Sequence, residues 1–192
     1  VEAGERVVVV ADRAVDPAEL PLGARLVVGD ARAEDVLRRA GIGQARDVMA
    51  VTSDSSFNAE IALVVRGLAE REDRGVTCHA EIADRQVCAA LVAGGDRRGL
   101  HFFSRHDRAA SDLVEQSALG SSHPDRTGDA SVLVVGSGQL AQAVLLELGR
   151  LWALLVPVWR KKGLAATALP VRVVDPTGDL TAELHRLPLP EG

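Results

Sequence analysis

The sequence predicts an α/β protein built on doubly wound parallel sheets, in which strands and helices alternate along the chain. Short apolar runs of strand length, such as Arg6–Ala11 (RVVVVA), alternate with longer segments that have helical periodicity. Continuous apolar runs are typical of strands that are buried on both faces, as in parallel sheets. One such run lies within Ser131–Ala141 (SVLVVGSGQLA), where a glycine turn leads directly into an apolar helical pattern.

The elements follow one another at spacings typical of βαβ units. Strands are expected at Arg6–Ala11, Arg25–Val28, Asp47–Val51, Val76–Ile82, Leu100–Phe103, Val132–Val135 and Val171–Val174. Helices are expected at Ala33–Ala40, from the cap-rich segment Thr52–Ser56 to Glu72, and at Asp84–Ala93, His106–Leu119, Leu140–Leu155 and Leu180–Leu187. Gly41 ends the first of these helices, because glycine accepts the left-handed conformation that closes a helix.

The most apolar window of the chain, Leu140–Trp159, is interpreted as a buried helix that ends before Pro157. It contains Glu147 and Arg150, and a membrane span tolerates such charges badly.

The glycine turn has the spacing G-x-G-x-x-A, formed by Gly136, Gly138 and Ala141. The first glycine permits a sharp turn, the second lets a pyrophosphate approach the backbone, and the small third residue lets helix and strand pack closely. A ribose-binding carboxylate would be Asp175, after the next strand, although the usual interval of about 20 residues is exceeded. The pattern predicts a Rossmann-like unit, and leaves open whether the turn binds a nucleotide or is purely structural.

The segment Gly120–Asp129 (GSSHPDRTGD) is the clearest linker, because it is small, polar and contains proline and glycine. We therefore expect one Rossmann-like domain at residues 1–119, a linker at 120–129 and the start of a second Rossmann unit at 130–192.

Composition argues against several classes of partner. The net charge is −5 and no basic run is longer than Arg160–Lys162, so nucleic acid is not an expected partner. The two cysteines, Cys78 and Cys88, lack metal or redox spacing and are expected to be buried free thiols, and no metal site is predicted.

Polar residues follow several predicted strands, where ligands of open α/β sheets bind. They are Asp12, Gly29, Asp30, Thr52, Ser53, Asp54, Glu81 and Gly136. Any one of them has an alternative interpretation as a helix cap or a solvated turn. Their recurrence at successive strand ends indicates a ligand site.

The segment Val27–Arg66 resembles the TrkA-N or RCK domain, the regulatory nucleotide-binding domain of potassium channels and Trk/Ktr uptake systems. The matching residues are Gly29-Asp30-Ala31, Leu37, Ala40-Gly41-Ile42, Ala45, Thr52, Asp54 and Asn58. The resemblance covers roughly Arg6–Leu91. The part from Leu100 onward is similar to proteins that carry two such domains in tandem.

The resemblance implies roles for the residues at the strand ends. Asp12 would bind the ribose hydroxyls, and Gly29 and Asp30 would border the adenine. Thr52 and Ser53 would line the nucleotide cleft. In the following helix Asn58 would hold a loop through its amide, whereas Glu81 departs from the family and would repel phosphate.

The family's domain begins with a strand, a glycine turn and a helix, whereas Val1–Gly4 of this chain resembles only the end of that helix. The corresponding strand is central in a Rossmann sheet. Strands Arg6–Ala11 and Asp47–Val51 would therefore flank a gap, and adenine nucleotides would bind weakly.

Two arrangements of Val132–Val135 are open. In the first, which we favour, this strand begins a second Rossmann unit in tandem, beside Val171–Val174. In the second, it inserts into the gap and completes a nucleotide site with Gly136, Gly138, Asp12 and Asp30.

The resemblance implies a regulatory domain that senses NAD(H) or ATP/ADP and transmits a conformational change to a membrane potassium channel or transporter subunit. It further implies a cytoplasmic location at the inner face of the membrane and a homodimer or higher homo-oligomer. The alternative is an NAD-dependent oxidoreductase. No catalytic residue is assigned, since tyrosine is absent and the histidines have no catalytic spacing.

Overall fold

The computed structural model describes residues 6–20, 22–94, 98–117, 132–161 and 171–175. Its strands are β1 (Val8–Ala11), β2 (Arg25–Val28), β3 (Asp47–Ala50), β4 (Thr77–Glu81), β5 (Leu100–Phe103), β6 (Val132–Val135) and β7 (Val171–Val174). Its helices are α1 (Glu34–Ala40), α2 (Ser55–Arg71), α3 (Arg85–Ala93), α4 (Arg105–Gln116) and α5 (Gln139–Lys161). The helix expected at 180–187 and the linker expected at 120–129 lie outside the described residues.

All the strand pairs are parallel, which confirms the predicted Rossmann-like α/β class. β1 pairs with β2, β3 with β4, β4 with β5, and β6 with β7. The pairing of β6 with β7 is the one that the tandem arrangement predicts.

The strands of the first half form two separate sheets, β1–β2 and β3–β4–β5. Within the described residues, β1 and β3 therefore each have a partner on one side only, as the gap in the resemblance predicted. The end of β3 lies open to solvent, since Met49 is 62% exposed and the following Val51 is 61% exposed. Both are apolar residues that a complete doubly wound sheet would cover.

The main core lies between α2 and the sheet β3–β4–β5. The buried face of α2 consists of Ile61, Ala62, Val65 and Leu68, a spacing that puts all four on one side of a helix. They pack against apolar residues that alternate along the strands, including Cys78 and Ala80 of β4, and against Leu37 of α1. Both cysteines are free and buried, as predicted, and burial raises the pKa of the Cys78 thiol to about 11.

Helix α1 joins the two sheets. Gly41 adopts the predicted left-handed conformation at its C-terminus, with φ of 91°. The Arg25 guanidinium of β2 donates to the carbonyl oxygens of Arg39 and Ala40 at 2.9 and 3.1 Å, which ties the end of α1 to the β1–β2 pair. On the other side, ion pairs Glu34–Arg71 and Arg38–Glu72 connect α1 to the C-terminal end of α2.

Helix α5 differs from the prediction in two ways. It continues through Pro157 to Lys161, since proline removes one backbone hydrogen bond but does not always end a helix. Only 11% of its apolar window Gln139–Val158 is buried, so the prediction of a buried helix is wrong. By length and composition alone, this is the one described helix that could cross a membrane.

The contacts divide the chain into two compact units, Val1–Ser104 and Arg105–Gly192. In the second unit α4 packs against α5, and the strand pair β6–β7 lies beside the glycine turn. The division falls before α4, which we had expected to belong to the first domain.

Candidate functional site

Two predicted site residues of the first unit follow neighbouring strands at the carboxyl edge of the β1–β2 pair. Asp12 follows β1 and Asp30 follows β2, and the Gly29 amide donates to the Ala11 carbonyl oxygen at 2.8 Å, which keeps the two strand ends in register. Both carboxylates are exposed. The arrangement offers hydrogen-bond acceptors to a ligand that approaches this edge.

Gly29 is needed for packing at this edge. Its φ is +157°, and a Cβ atom there would lie 2.8 Å from Cγ2 of Val36, which is buried on α1. Because α1 approaches the end of β2 closely, any larger residue would have to displace the Val36 side chain. Packing therefore accounts for this glycine, and its predicted contact with adenine stays a prediction.

The Asp30 carboxylate is held by Arg32, a residue that the sequence analysis did not select. Oδ1 of Asp30 accepts from the Arg32 amide at 2.9 Å and from Nε at 3.1 Å, and Oδ2 accepts from Nη2 at 2.8 Å. Nη1 of the same guanidinium donates to Oε2 of Glu60 on α2 at 3.0 Å. Cζ of Arg32 lies 4.2 Å from the ring centroid of Phe57. Arg32 thus connects the loop after β2 to the first turns of α2.

The hydrogen bonds from Arg32 lower the pKa of the Asp30 carboxyl below its ordinary value of 3.8 and raise the pKa of Arg32. A carboxyl whose pKa is depressed on folding stabilises the folded state above its unfolded-state pKa and loses that contribution as pH falls through the folded-state pKa. We expect Asp30 to titrate by carboxyl-carbon NMR below 3.8 in the wild type, and to return towards 3.8 in Arg32→Gln. An unchanged titration midpoint in Arg32→Gln would contradict the assignment of Arg32 as the cause.

The loop after β3 is fixed by Asn58, which is completely buried. Its Oδ1 accepts from the Thr52 amide at 2.9 Å and from Thr52 Oγ1 at 2.7 Å. Its Nδ2 donates to the carbonyl oxygens of Thr52 at 3.1 Å and of Glu81 at 3.0 Å. The expectation that Asn58 holds a loop through its amide is confirmed, and Thr52 and Ser53 lie exposed on that loop.

The N-terminus of α2 is already occupied by a protein carboxylate. Oδ1 of Asp54 accepts from the amides of Ser56 at 2.8 Å and Phe57 at 3.0 Å. Since a helix N-terminus binds anions through these same amides, Asp54 takes the place that a phosphate would need. The Glu81 side chain, which we expected to repel phosphate, is buried with 4% of its surface exposed.

In the second unit the glycine turn has the predicted form. Gly136 has φ of +114° and its amide donates to the Val174 carbonyl oxygen at 2.9 Å. Helix α5 begins directly afterwards, where the Gln142 amide donates to the Gly138 carbonyl oxygen at 3.1 Å. Asp175 follows β7, so the strand register puts it at the same sheet edge as Gly136. Ala141 lies in the first turn of α5 and is half-buried.

The described parts of the chain hold no group of three or more His, Cys, Asp or Glu side chains that could bind a metal ion. Two histidines stack on the sheet of the first unit, His79 and His101, with ring centroids 5.2 Å apart. Nε2 of His79 lies 3.3 Å from Oδ1 of Asp47. These contacts join neighbouring strands of the sheet, a structural role for His79.

Comparison with known proteins points to one family. The family profile of the TrkA-N domain matches residues 1–95. Among solved structures, a GsuK channel is 22% identical with a TM-score of 0.51, covering 74% of this chain and 34% of that one. The crystal structure of a GsuK mutant is 18% identical with a TM-score of 0.55, covering 91% of this chain and 38% of that one.

The chain therefore spans little more than a third of the channel chains that it resembles, and identities this low show the fold alone. No curated protein matches the sequence. The profile match covers β1 to α3, including the strand ends that are followed by Asp12, Asp30 and Thr52, residues that the resemblance had selected. Residues 1–95 of this chain therefore form a TrkA-N domain.

Proposed function

We propose that this chain is the nucleotide-sensing regulatory part of a potassium channel or potassium-uptake system. The observation that carries the proposal is the arrangement of Asp12, Asp30 and Thr52 at the carboxyl strand ends of a TrkA-N domain. In α/β sheets of this class, ligands bind outside these strand ends. Two exposed carboxylates on neighbouring strands can accept hydrogen bonds from the hydroxyl groups of a ribose and from the amino group of an adenine.

The ligand class is an adenine nucleotide, NAD(H) or ATP/ADP. Asp12 would accept from the ribose hydroxyls, while Gly29 and Asp30 would border the base and Thr52 and Ser53 would line the cleft. In the second unit, Gly136, Gly138 and Ala141 would support a second phosphate-binding turn, and Asp175 would supply its ribose contact. Each of these roles follows the family pattern at the matching position.

The wider assembly is part of the same proposal. The chain would lie in the cytoplasm at the inner face of the membrane and pair with further copies of itself. Ligand-dependent changes in the paired domains would be transmitted to a membrane channel or transporter subunit. The similarity of the fold to GsuK channel chains supports this placement.

Calorimetry with NADH and ADP tests the proposal on the 192-residue chain. We expect a Kd of about 1 mM, because Asp54 caps the α2 N-terminus and the first unit holds mainly the nucleoside part of the ligand. Asp12→Ala should abolish binding at the first unit, whereas Arg46→Ala, at the opposite ends of the strands, should leave it unchanged.

Because the second unit offers a further turn, the comparison is made in a Gly138→Val background, where a side chain blocks the approach of a pyrophosphate to that turn. Binding that survives Asp12→Ala in this background would contradict the assignment of this edge. Sustained oxidation of NADH with a panel of carbonyl substrates would instead support the oxidoreductase alternative and overturn the regulatory one.

A further inference from the structure

The guanidinium of Arg32 is held in a fixed plane at the edge of the proposed nucleotide site. Asp30 binds Nε and Nη2, and Glu60 binds Nη1, so carboxylates from two different elements grip the edge of the group. Three of its five N–H donors are used in these bonds, and all of them lie in the plane of the guanidinium. A group held at its edge in this way has two flat faces left for other contacts.

One of those two faces is covered by Phe57. The ring centroid lies 4.2 Å from Cζ of Arg32, a distance at which a guanidinium stacks on an aromatic ring. Yet 42% of the Arg32 side chain remains exposed. Carboxylates occupy the edge and Phe57 occupies one face, and within the described residues no hydrogen bond, ion pair or ring contact involves the opposite face.

Arg32 lies next to the residue assigned to the border of the base. Asp30 follows β2 at the border assigned to adenine, and Arg32 is only two residues further along the chain. Asp12, assigned to the ribose, follows the neighbouring strand. Guanidinium planes are recurrent stacking partners of nucleobases.

We propose that the open face of Arg32 is the stacking platform for the purine base of the bound nucleotide. This inference rests on the proposed function, and it adds a reason for the preference for a purine, whose two fused rings cover more of the guanidinium than a pyrimidine does. Phe57 then packs against the other face of the guanidinium, and the carboxylates of Asp30 and Glu60 fix the orientation of its plane.

A purely structural ion pair is the competing explanation, and lysine separates the two. Lysine keeps the positive charge between Asp30 and Glu60, but it has no planar face on which a base can stack. If Arg32 only joins the loop after β2 to α2, then Arg32→Lys should bind nucleosides as the wild type does.

The test uses adenosine and cytidine as probes, because they carry base and ribose without phosphate. In NMR titrations of the 192-residue chain, a base stacked on Arg32 shifts its Nε–H proton upfield through the ring current. We expect this shift with adenosine and a smaller one with cytidine. Arg32→Lys should weaken adenosine binding about fivefold or more, read from the backbone amides of Asp12 and Thr52. Arg66→Lys is the matched control, since Arg66 is a partly exposed arginine paired with Glu70 on α2.

The possible outcomes separate this inference from the proposed function. Shifts at Asp12 and Thr52 without a shift at the Arg32 Nε–H, and with full adenosine affinity in Arg32→Lys, would overturn the stacking role and leave the proposed function standing. No shift at any of these positions would overturn both. The ring-current measurement on the wild type needs no variant, so a poorly folded Arg32→Lys would not prevent a decision.

Discussion

Gly99→Ala is expected to destabilise the first unit by about 3 kcal/mol. Gly99 precedes β5 with φ of +72°, and an added Cβ atom would lie 2.5 Å from the backbone oxygen of Val76. The neighbour is main chain next to β4, so no side chain can rotate away. The Gly99 carbonyl oxygen also accepts from the Cys78 amide, which fixes the position of the glycine. Urea denaturation followed by circular dichroism measures the loss.

Two other glycines separate the causes of this effect. Gly41 has φ of +91° but nothing within 4 Å of its Cβ position, so Gly41→Ala should cost only the left-handed backbone, about 1 kcal/mol. Gly75 has neither a positive φ nor a close neighbour, so Gly75→Ala should be neutral or slightly stabilising. Equal losses in Gly99→Ala and Gly41→Ala would show that the contact with Val76 contributes nothing.

Asn58→Ala is expected to cost about 3 kcal/mol of unfolding free energy and to release the loop that carries Thr52. The substitution leaves the Thr52 amide and the Glu81 carbonyl oxygen without their partner, and an unsatisfied buried group costs about 1–3 kcal/mol. Asn58→Asp should be at least as damaging, because a carboxylate would face two carbonyl oxygens to which the amide now donates. Ser53→Ala, on the exposed part of the same loop, should change stability by less than about 0.5 kcal/mol.

The same variants test whether the hydrogen bonds of Asn58 order the loop that carries Thr52. If Asn58 orders the cleft, the Thr52 amide should exchange with deuterium far faster in Asn58→Ala than in the wild type. Unchanged exchange at Thr52, together with full stability, would contradict the role given to Asn58.

The order of elements was predictable because apolar runs and turn residues are local signals. The strands at Arg25–Val28, Leu100–Phe103, Val132–Val135 and Val171–Val174 have the predicted bounds, and Gly41 ends α1 as expected. The parallel class follows from the alternation of strands and helices. The gap between β1 and β3 followed from comparing the chain with the family pattern, which places a central strand there.

The details of the site were less predictable because they depend on contacts between distant parts of the chain. Arg32 was missed because its partners Glu60 and Phe57 lie on α2, which is separated from Arg32 in the sequence by α1 and β3. The spacing of Asp30 and Arg32 was the available signal, since aspartate often accepts from the amide two residues on. The course of α5 beyond Pro157 and its low burial depend on packing, which hydropathy alone does not determine.

The gap between β1 and β3 also bears on how the first unit loses its structure. No backbone hydrogen bond among the described residues joins the two sheets, so the contacts between them are made by side chains. These contacts are Leu37 in the core, the ion pairs of Glu34 and Arg38, and the contacts of Arg32 with Glu60 and Phe57. The β1–β2 pair has a single buried strand residue, Val27, whereas β4 contains several. Local opening is therefore easiest at β1–β2. Asp12 and Asp30 follow the strands of this less stable pair, so a ligand that binds their carboxylates stabilises the part of the unit that opens most easily.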